Sequence, residues 1–192
     1  MDKIFPNLIY KFKIPNYKEL NKNLISEIYD LKNKEPDGIN RSNIGGWHSD
    51  LRTTKFIDLQ KIICNHYTKT ILKTNKDIKP STIWANVNNK NDSNKIHNHR
   101  GSNYSGVYYV KVPKDSGDLY FVNHVTSLTY PFNFYEQMFD EIKYEPKEGD
   151  LYFFSGNLSH RVGKNLTNED RISISFNFNY IDLKKHFKKE QE

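Results

Sequence analysis

Cysteine is nearly absent from this sequence: Cys64 is the one thiol in 192 residues. A disulfide framework and any multi-cysteine metal cluster are thereby excluded. Long apolar runs are missing too, since no stretch approaches the roughly 20 apolar residues that span a bilayer. The opening residues, Met1-Asp2-Lys3-Ile4-Phe5-Pro6, carry no apolar signal region. These absences lead to the expectation of a soluble, cytoplasmic protein without a membrane partner. Hydrophobic residues are scarce as well, at 36%, and mean hydropathy is -0.83. The deficit is offset by 13 Tyr, 12 Phe and 2 Trp. Each large ring buries about 150–250 Å², so a real core is available and disorder is not expected.

Lys and Arg outnumber Asp and Glu, giving a net charge of +6. Such a balance often marks a nucleic-acid partner, but its distribution argues otherwise. Basic residues are spread along the chain. The one dense run, Lys184-Lys185-His186-Phe187-Lys188-Lys189, is diluted at once by Glu190 and Glu192 and accompanies no nucleic-acid motif. The charge therefore reads as solvated surface, and nucleic acid is not an expected partner.

Two helices are predicted in the first half. Tyr17, Leu20, Leu24, Ile28 and Leu31 form one stripe within Asn16–Asn33, with Asn16 as cap and Glu19 in the capping-box position. Leu59, Ile62, Ile63, His66, Tyr67 and Ile71 repeat the pattern within Asp58–Lys73, with Cys64 beside the stripe as a packed thiol. Between them lies a Gly-bearing turn, Asn43–Ser49. Beyond Pro80, short β-favouring runs follow: Thr82–Asn88, Ile96–His99, Gly106–Val112, Asp118–Asn123, Leu151–Ser155, Ser159–Val162 and Ile172–Ile181. The last alternates apolar and polar residues as a half-buried strand would. His124–Tyr144 reads as a long connection, helical around Phe134–Ile142. The expected fold class is mostly β with α, a sandwich or barrel braced by helices on one face.

The chemistry concentrates in a few positions. His97-Asn98-His99 places two imidazoles on one face of a strand, and His160 begins a later strand. Neutral imidazole is the commonest metal ligand of its kind, and few protein ligands with open positions suit non-haem Fe(II). Arg171-Ile172-Ser173 again puts two side chains on one face; a guanidinium with a hydroxyl holds a carboxylate.

Together with Ser105-Gly106-Val107-Tyr108-Tyr109-Val110, Ser116-Gly117-Asp118-Leu119, Glu148–Phe154, Asn43–Ser49 and Ile4-Phe5-Pro6, these residues resemble the 2-oxoglutarate-Fe(II) oxygenases. Closer still, they resemble a subgroup of small oxygenases of phages and marine bacteria with a His-x-His…His motif. The resemblance spans most of the chain. It implies a double-stranded β-helix (jelly-roll, cupin-like) core in one domain: helical support over 1–80, the jelly roll over 81–182 and a basic tail over 183–192. It implies Fe(II), 2-oxoglutarate and O2 as reagents, with release of succinate and CO2 and hydroxylation of a small-molecule or peptidyl substrate. By position, His97 and His160 match the family's metal ligands. Arg171 and Ser173 match the pair that holds the distal carboxylate of 2-oxoglutarate, assisted by Tyr109.

One departure stands out: the wider family has an acidic residue where this chain has His99. A three-histidine site is the preferred reading. A second register, in which His99-Arg100-Gly101 leaves a ligand position open for halide, is the alternative. Two rival functions also stand: a cupin-like three-histidine dioxygenase without 2-oxoglutarate, and a non-catalytic jelly-roll binding module. Of the remaining residues, His66 and Trp84 are expected in the core and Trp47 as an anchor between helix and sheet. The Glu148 and Asp150 carboxylates are expected in solvent. His124 is a weak candidate for the pocket, and Asn86 or Asn88 for the carboxylate. Asn40–His48, Asn89–Lys95 and His124–Tyr144 are the expected substrate determinants.

Overall fold

The computed structural model describes residues 7–51, 54–123 and 141–179. In chain order its elements are β1 (Tyr10–Lys13), α1 (Tyr17–Lys34), β2 (Asn43–Ile44), β3 (Trp47–His48) and α2 (Ile57–Asn65), which runs into a π-helical turn (His66–Ile71). There follow β4 (Thr82–Asn88), β5 (Ser93–His97), β6 (Tyr104–Lys111), β7 (Leu119–Val122), β8 (Glu141–Tyr144), β9 (Asp150–Ser155), β10 (His160–Val162) and β11 (Arg171–Phe178). The strands make two antiparallel sheets, β1-β9-β6-β11-β4-β3 and β2-β5-β10-β7-β8. Val107, Tyr109, Tyr152 and Phe154 of the first pack against Leu119 and Phe121 of the second. This is the jelly-roll architecture that the resemblance implied.

Period-two alternation sorts the larger sheet into two faces. Ile83, Ala85, Val87, Tyr108, Val110, Leu151, Phe153, Ile172, Ile174, Phe176 and Phe178 meet Leu24, Ile28, Leu59, Ile63 and Tyr67 of the helical layer. The opposite face of β11 is not the wet side of a half-buried strand, as its alternation suggested. Arg171 and Ser173 are each only 2% exposed, because the second sheet roofs them.

The apolar stripe of α1 is buried as predicted, but its start differs. Asn16 is left-handed (φ 52°) and makes no side-chain cap; a capping side chain needs extended backbone at that residue. The helix is fixed instead by Asn21. Its Nδ2 donates to the Val110 carbonyl (2.6 Å), and its Oδ1 accepts from the Tyr108 hydroxyl (2.6 Å). The second predicted helix is regular only to Asn65, beyond which its turns widen. His66 does pack, 4.3 Å from the Phe12 ring. Trp47 anchors as expected, donating Nε1 to the Glu35 carbonyl at the end of α1 (2.7 Å).

Three short strands, β1 to β3, were not anticipated. Glu141–Tyr144, assigned to a connection with helix as far as Ile142, is a strand paired with β7. The rest of that connection, with His124, and the basic tail lie outside the described residues. Asp150 is 3% exposed and not solvated: Lys11 and Lys13 close on its carboxylate at 3.2 and 3.3 Å. Among the described residues, no helix is long and apolar enough to cross a membrane.

Candidate active site

Strand register brings the histidines together. β10 runs beside β5, and His160 is the cross-strand partner of His97. β5 ends at His97, so His99 does not continue its strand face as predicted. The chain leaves the sheet there and is held by two hydrogen bonds, His99 N–H to the Gly156 carbonyl (2.8 Å) and Ser102 N–H to the His99 carbonyl (3.0 Å). Gly156 permits this close approach, since a Cβ there would sit 2.2 Å from the Ser102 carbonyl oxygen. The His99 ring consequently returns to the other two. Ring centroids are 4.3 Å apart for His97–His160 and 5.1 Å for each pair with His99. One ring nitrogen from each lies within 4.8 Å of the others.

The chemistry of these nitrogens fits a metal ion. Nδ1 of His97 lies 2.8 Å from the Lys95 carbonyl, and Nδ1 of His160 lies 2.9 Å from the Leu158 carbonyl. A carbonyl only accepts, so Nδ1 carries the proton and Nε2 keeps its lone pair. Metal-ligating histidines are commonly fixed by such a bond. Burial keeps the rings neutral: it pulls the pKa of His160 down to about 3 and that of His99 to about 4, with neighbouring histidines adding to both. His97 is lowered as well, chiefly by burial.

The cavity around them measures about 550 Å³. Trp84 is buried as predicted, at 6% exposed, but against this cavity and not the helical layer, because β4 directs Ile83, Ala85 and Val87 to the helices and Trp84, Asn86 and Asn88 to the other side. Its ring lies 5.7 Å from His99 and stacks on His48 at 5.6 Å. His48 was named from the sequence only as the end of the Asn40–His48 segment. The β3–β4 register pairs it with Asn86, which sets it on the cavity side. Burial lowers its pKa, and its Nδ1 is bonded to the Ser49 carbonyl (2.6 Å).

Across the cavity, β11 lies between β4 and β6, with Ser173 opposite Asn86 on one side and Tyr109 on the other. Arg171 pairs with Asn88 in the same register. The Arg171 guanidinium donates weakly to the Gly117 carbonyl (3.4 Å) and lies 6.0 Å from the Tyr109 ring centroid. Its Nε is buried without a hydrogen-bond partner, and no ion pair neutralises it among the described residues. Burial lowers its pKa and raises that of the Tyr109 phenol, which stays a neutral donor. An uncompensated buried cation is costly, and an anionic ligand would satisfy it. Asn86 lines the cavity, and its Nδ2 donates to Ser175 Oγ (3.2 Å). Of the expected substrate determinants, Asn40, Arg41, Ser42, Asn94 and Lys95 line the mouth.

A family model described as "Putative 2OG-Fe(II) oxygenase" matches residues 82–177. The chain belongs to this family. The stretch matched contains all three histidines, Tyr109, Arg171 and Ser173. Iron(II) and 2-oxoglutarate are accordingly the reagents of this 2OG-Fe(II) oxygenase, and the three-histidine cluster fits the iron. Solved structures share its fold. A prolyl-4-hydroxylase of Pseudomonas putida is 15% identical, with a TM-score of 0.59 over 90% of this chain and 93% of that one. The carbocyclase SnoK of nogalamycin biosynthesis is 10% identical, TM-score 0.65, over 94% and 85%. HygX of Streptomyces hygroscopicus, solved with nickel and 2-oxoglutarate, is 11% identical, TM-score 0.61, over 88% and 82%. No curated protein matches the chain.

Proposed function

We propose that this oxygenase is of the hydroxylase type, acting on a small-molecule or peptidyl substrate, with the whole chain serving as one catalytic unit. His97, His99 and His160 would hold Fe(II) through nitrogen alone, and Arg171, Ser173 and Tyr109 would hold the distal carboxylate of 2-oxoglutarate. The observation that carries this reading is the buried, unpartnered Arg171 Nε on the wall of a cavity into which three neutral imidazoles converge. The rival without 2-oxoglutarate leaves that guanidinium with no anion, and a binding module leaves the imidazoles with no ion.

When bound, iron with 2-oxoglutarate and O2 supplies oxidation of a C–H bond coupled to decarboxylation to succinate and CO2. The protein's part is placement. The Lys95 and Leu158 carbonyls fix the tautomers of His97 and His160, so both present a lone pair without reorganisation. Arg171 would offer a planar fork to a carboxylate, and Tyr109 and Ser173, cross-strand neighbours beside it, would donate their hydroxyls. Trp84, Phe154 and Val107 wall the cavity and limit water around the reacting bond.

The test is to measure iron and 2-oxoglutarate binding separately in His97→Ala, His99→Ala, His160→Ala and Arg171→Ala. Each histidine variant is expected to lose iron, and Arg171→Ala to keep iron but lose 2-oxoglutarate. Full iron in His97→Ala, with iron lost in His99→Ala, would favour the open-position register. Product mass decides the outcome type: hydroxylation adds one oxygen atom per succinate released, whereas cyclisation or epimerisation adds none.

A further inference from the structure

The mouth of the cavity carries a charge pattern that the cosubstrate does not absorb. Besides Arg171, two cations line it, Arg41 and Lys95, and among the described lining residues there is no Asp or Glu. Both are exposed, and neither has an ion-pair partner among the described residues. They come from separate segments that the backbone ties together. β2 pairs with β5 through Asn43 and Asn94, Lys95 N–H donates to the Ser42 carbonyl (2.9 Å), and Asn94 Nδ2 donates to Ser42 Oγ (3.2 Å). Asn43 Oδ1 accepts from Arg41 N–H (2.8 Å), which fixes the loop that presents Arg41. The two cations thus share one rim, and Arg171 sits deep on the opposite sheet.

The nitrogen-only cluster sharpens the imbalance. Where a carboxylate ligand would contribute a negative charge, His99 contributes none. A divalent metal and three cationic side chains, set against one dianionic cosubstrate, leave the cavity positive. Positive clefts with low-dielectric walls attract and orient anions. Asn40, Asn94 and Asn98 add amide groups at the same rim.

We propose that the substrate of this oxygenase is a small oxyanion, a carboxylate or phosphate compound, gripped at the rim by Arg41 and Lys95. The proposal rests on the metal and 2-oxoglutarate assignments above. The size of the cavity favours a small molecule: about 550 Å³ must hold the cosubstrate as well, within the usual range for small-ligand pockets. The rim grips the anionic end, and the remainder of the molecule extends towards the histidine cluster. Arg41 supplies a two-pronged donor and Lys95 a point charge.

The experiment loads the protein with Zn(II) and 2-oxoglutarate, so that nothing turns over, and measures binding calorimetrically with matched probes. N-acetylglycine is compared with its amide, and glycerol 3-phosphate with glycerol. At least one anion is expected to bind and its neutral partner not to. In the double variant Arg41→Gln/Lys95→Gln, affinity for that anion should fall about tenfold or more, while 2-oxoglutarate affinity stays within about twofold. Which anion binds separates carboxylate from phosphate chemistry. In the wild type, binding should also weaken as salt is raised, a readout that needs no variant.

Equal binding of acid and neutral partner would overturn the proposal, as would an equal loss of 2-oxoglutarate in the double variant, which would assign the rim to the cosubstrate. Failure of both anions while 2-oxoglutarate binds, or binding confined to peptides or nucleic acid, overturns it too. If the wild type binds neither metal nor 2-oxoglutarate, the parent reading fails instead.

Discussion

Arg171 holds a positive charge 2% exposed, with Nε unbonded, and a residue in that state works against the stability of the empty protein. Replacing an uncompensated buried charge by an apolar side chain of similar length removes the desolvation penalty. Arg171→Met should therefore raise the stability of the ligand-free protein by about 1 kcal/mol or more. The same change should weaken 2-oxoglutarate binding at least about a hundredfold, through lost charge-assisted bonds. Opposite signs in a denaturant midpoint and in a binding titration are the signature; a variant less stable than its parent would show that the guanidinium is paid for elsewhere. The histidines make a second residue-level case. His99 and His160 have pKa values pushed below their ordinary 6.5, to about 4 and about 3, so below pH 6.5 the unfolded chain binds more protons than the folded one. Stability must then fall as pH drops from 6.5 towards those values, by roughly 2 kcal/mol per histidine at pH 5. Denaturation at pH 7 and pH 5 measures this slope, and His160→Gln should flatten it.

At the scale of the element, β6 is held to the core by a glycine. Phe176 is the cross-strand partner of Gly106, and a Cβ there would meet the Phe176 ring and the Tyr152 carbonyl oxygen, each at 2.4 Å. The ring could swing away, but the carbonyl belongs to the paired strand and cannot. Gly106→Ala should cost about 1–3 kcal/mol, read as a lower denaturation midpoint, with iron capacity retained in the folded fraction. This contact also marks what the sequence could and could not reveal. Thr82–Asn88 was predicted to the residue because Thr82, Ile83, Trp84 and Val87 favour strands and the run lies between turn signals. β2 and β3, of two residues each, are too short to show any period, and exist only because β5 and β4 accept them. Glu141–Tyr144 carries no alternation that separates strand from helix. His97-x-His99 and Arg171-x-Ser173 were legible because their spacing is local, and His160 through the family resemblance. For His48 and Arg41 only their segment, Asn40–His48, was legible; which way they and Trp84 point is decided by pairing between remote strands.

Across the whole molecule, the candidate site joins the two sheets. His97 and His160 belong to the five-stranded sheet, whereas Tyr109, Arg171 and Ser173 belong to the six-stranded one. A ligand held at once by both groups acts as a strut across the jelly roll, and its binding energy adds to the folding equilibrium by mass action. With 2-oxoglutarate at about a hundred times its dissociation constant, the gain is roughly 2.7 kcal/mol. For a chain of this size that corresponds to a rise in Tm of about 5–10 °C. The rise should need both components: metal alone engages one sheet, and 2-oxoglutarate alone meets Arg171 without its anchor on the histidines. A thermal melt with each component separately and then with both checks this, and a chelator should reverse the effect. Amide hydrogen exchange locates it. Protection on loading should grow most at β5, β10 and the loop from Asn98 to Asn103, which is bonded to the Gly156 turn and the end of β11, and least in α1. Equal protection in α1 would mean that ligands tighten the fold globally, and the strut account would then fail.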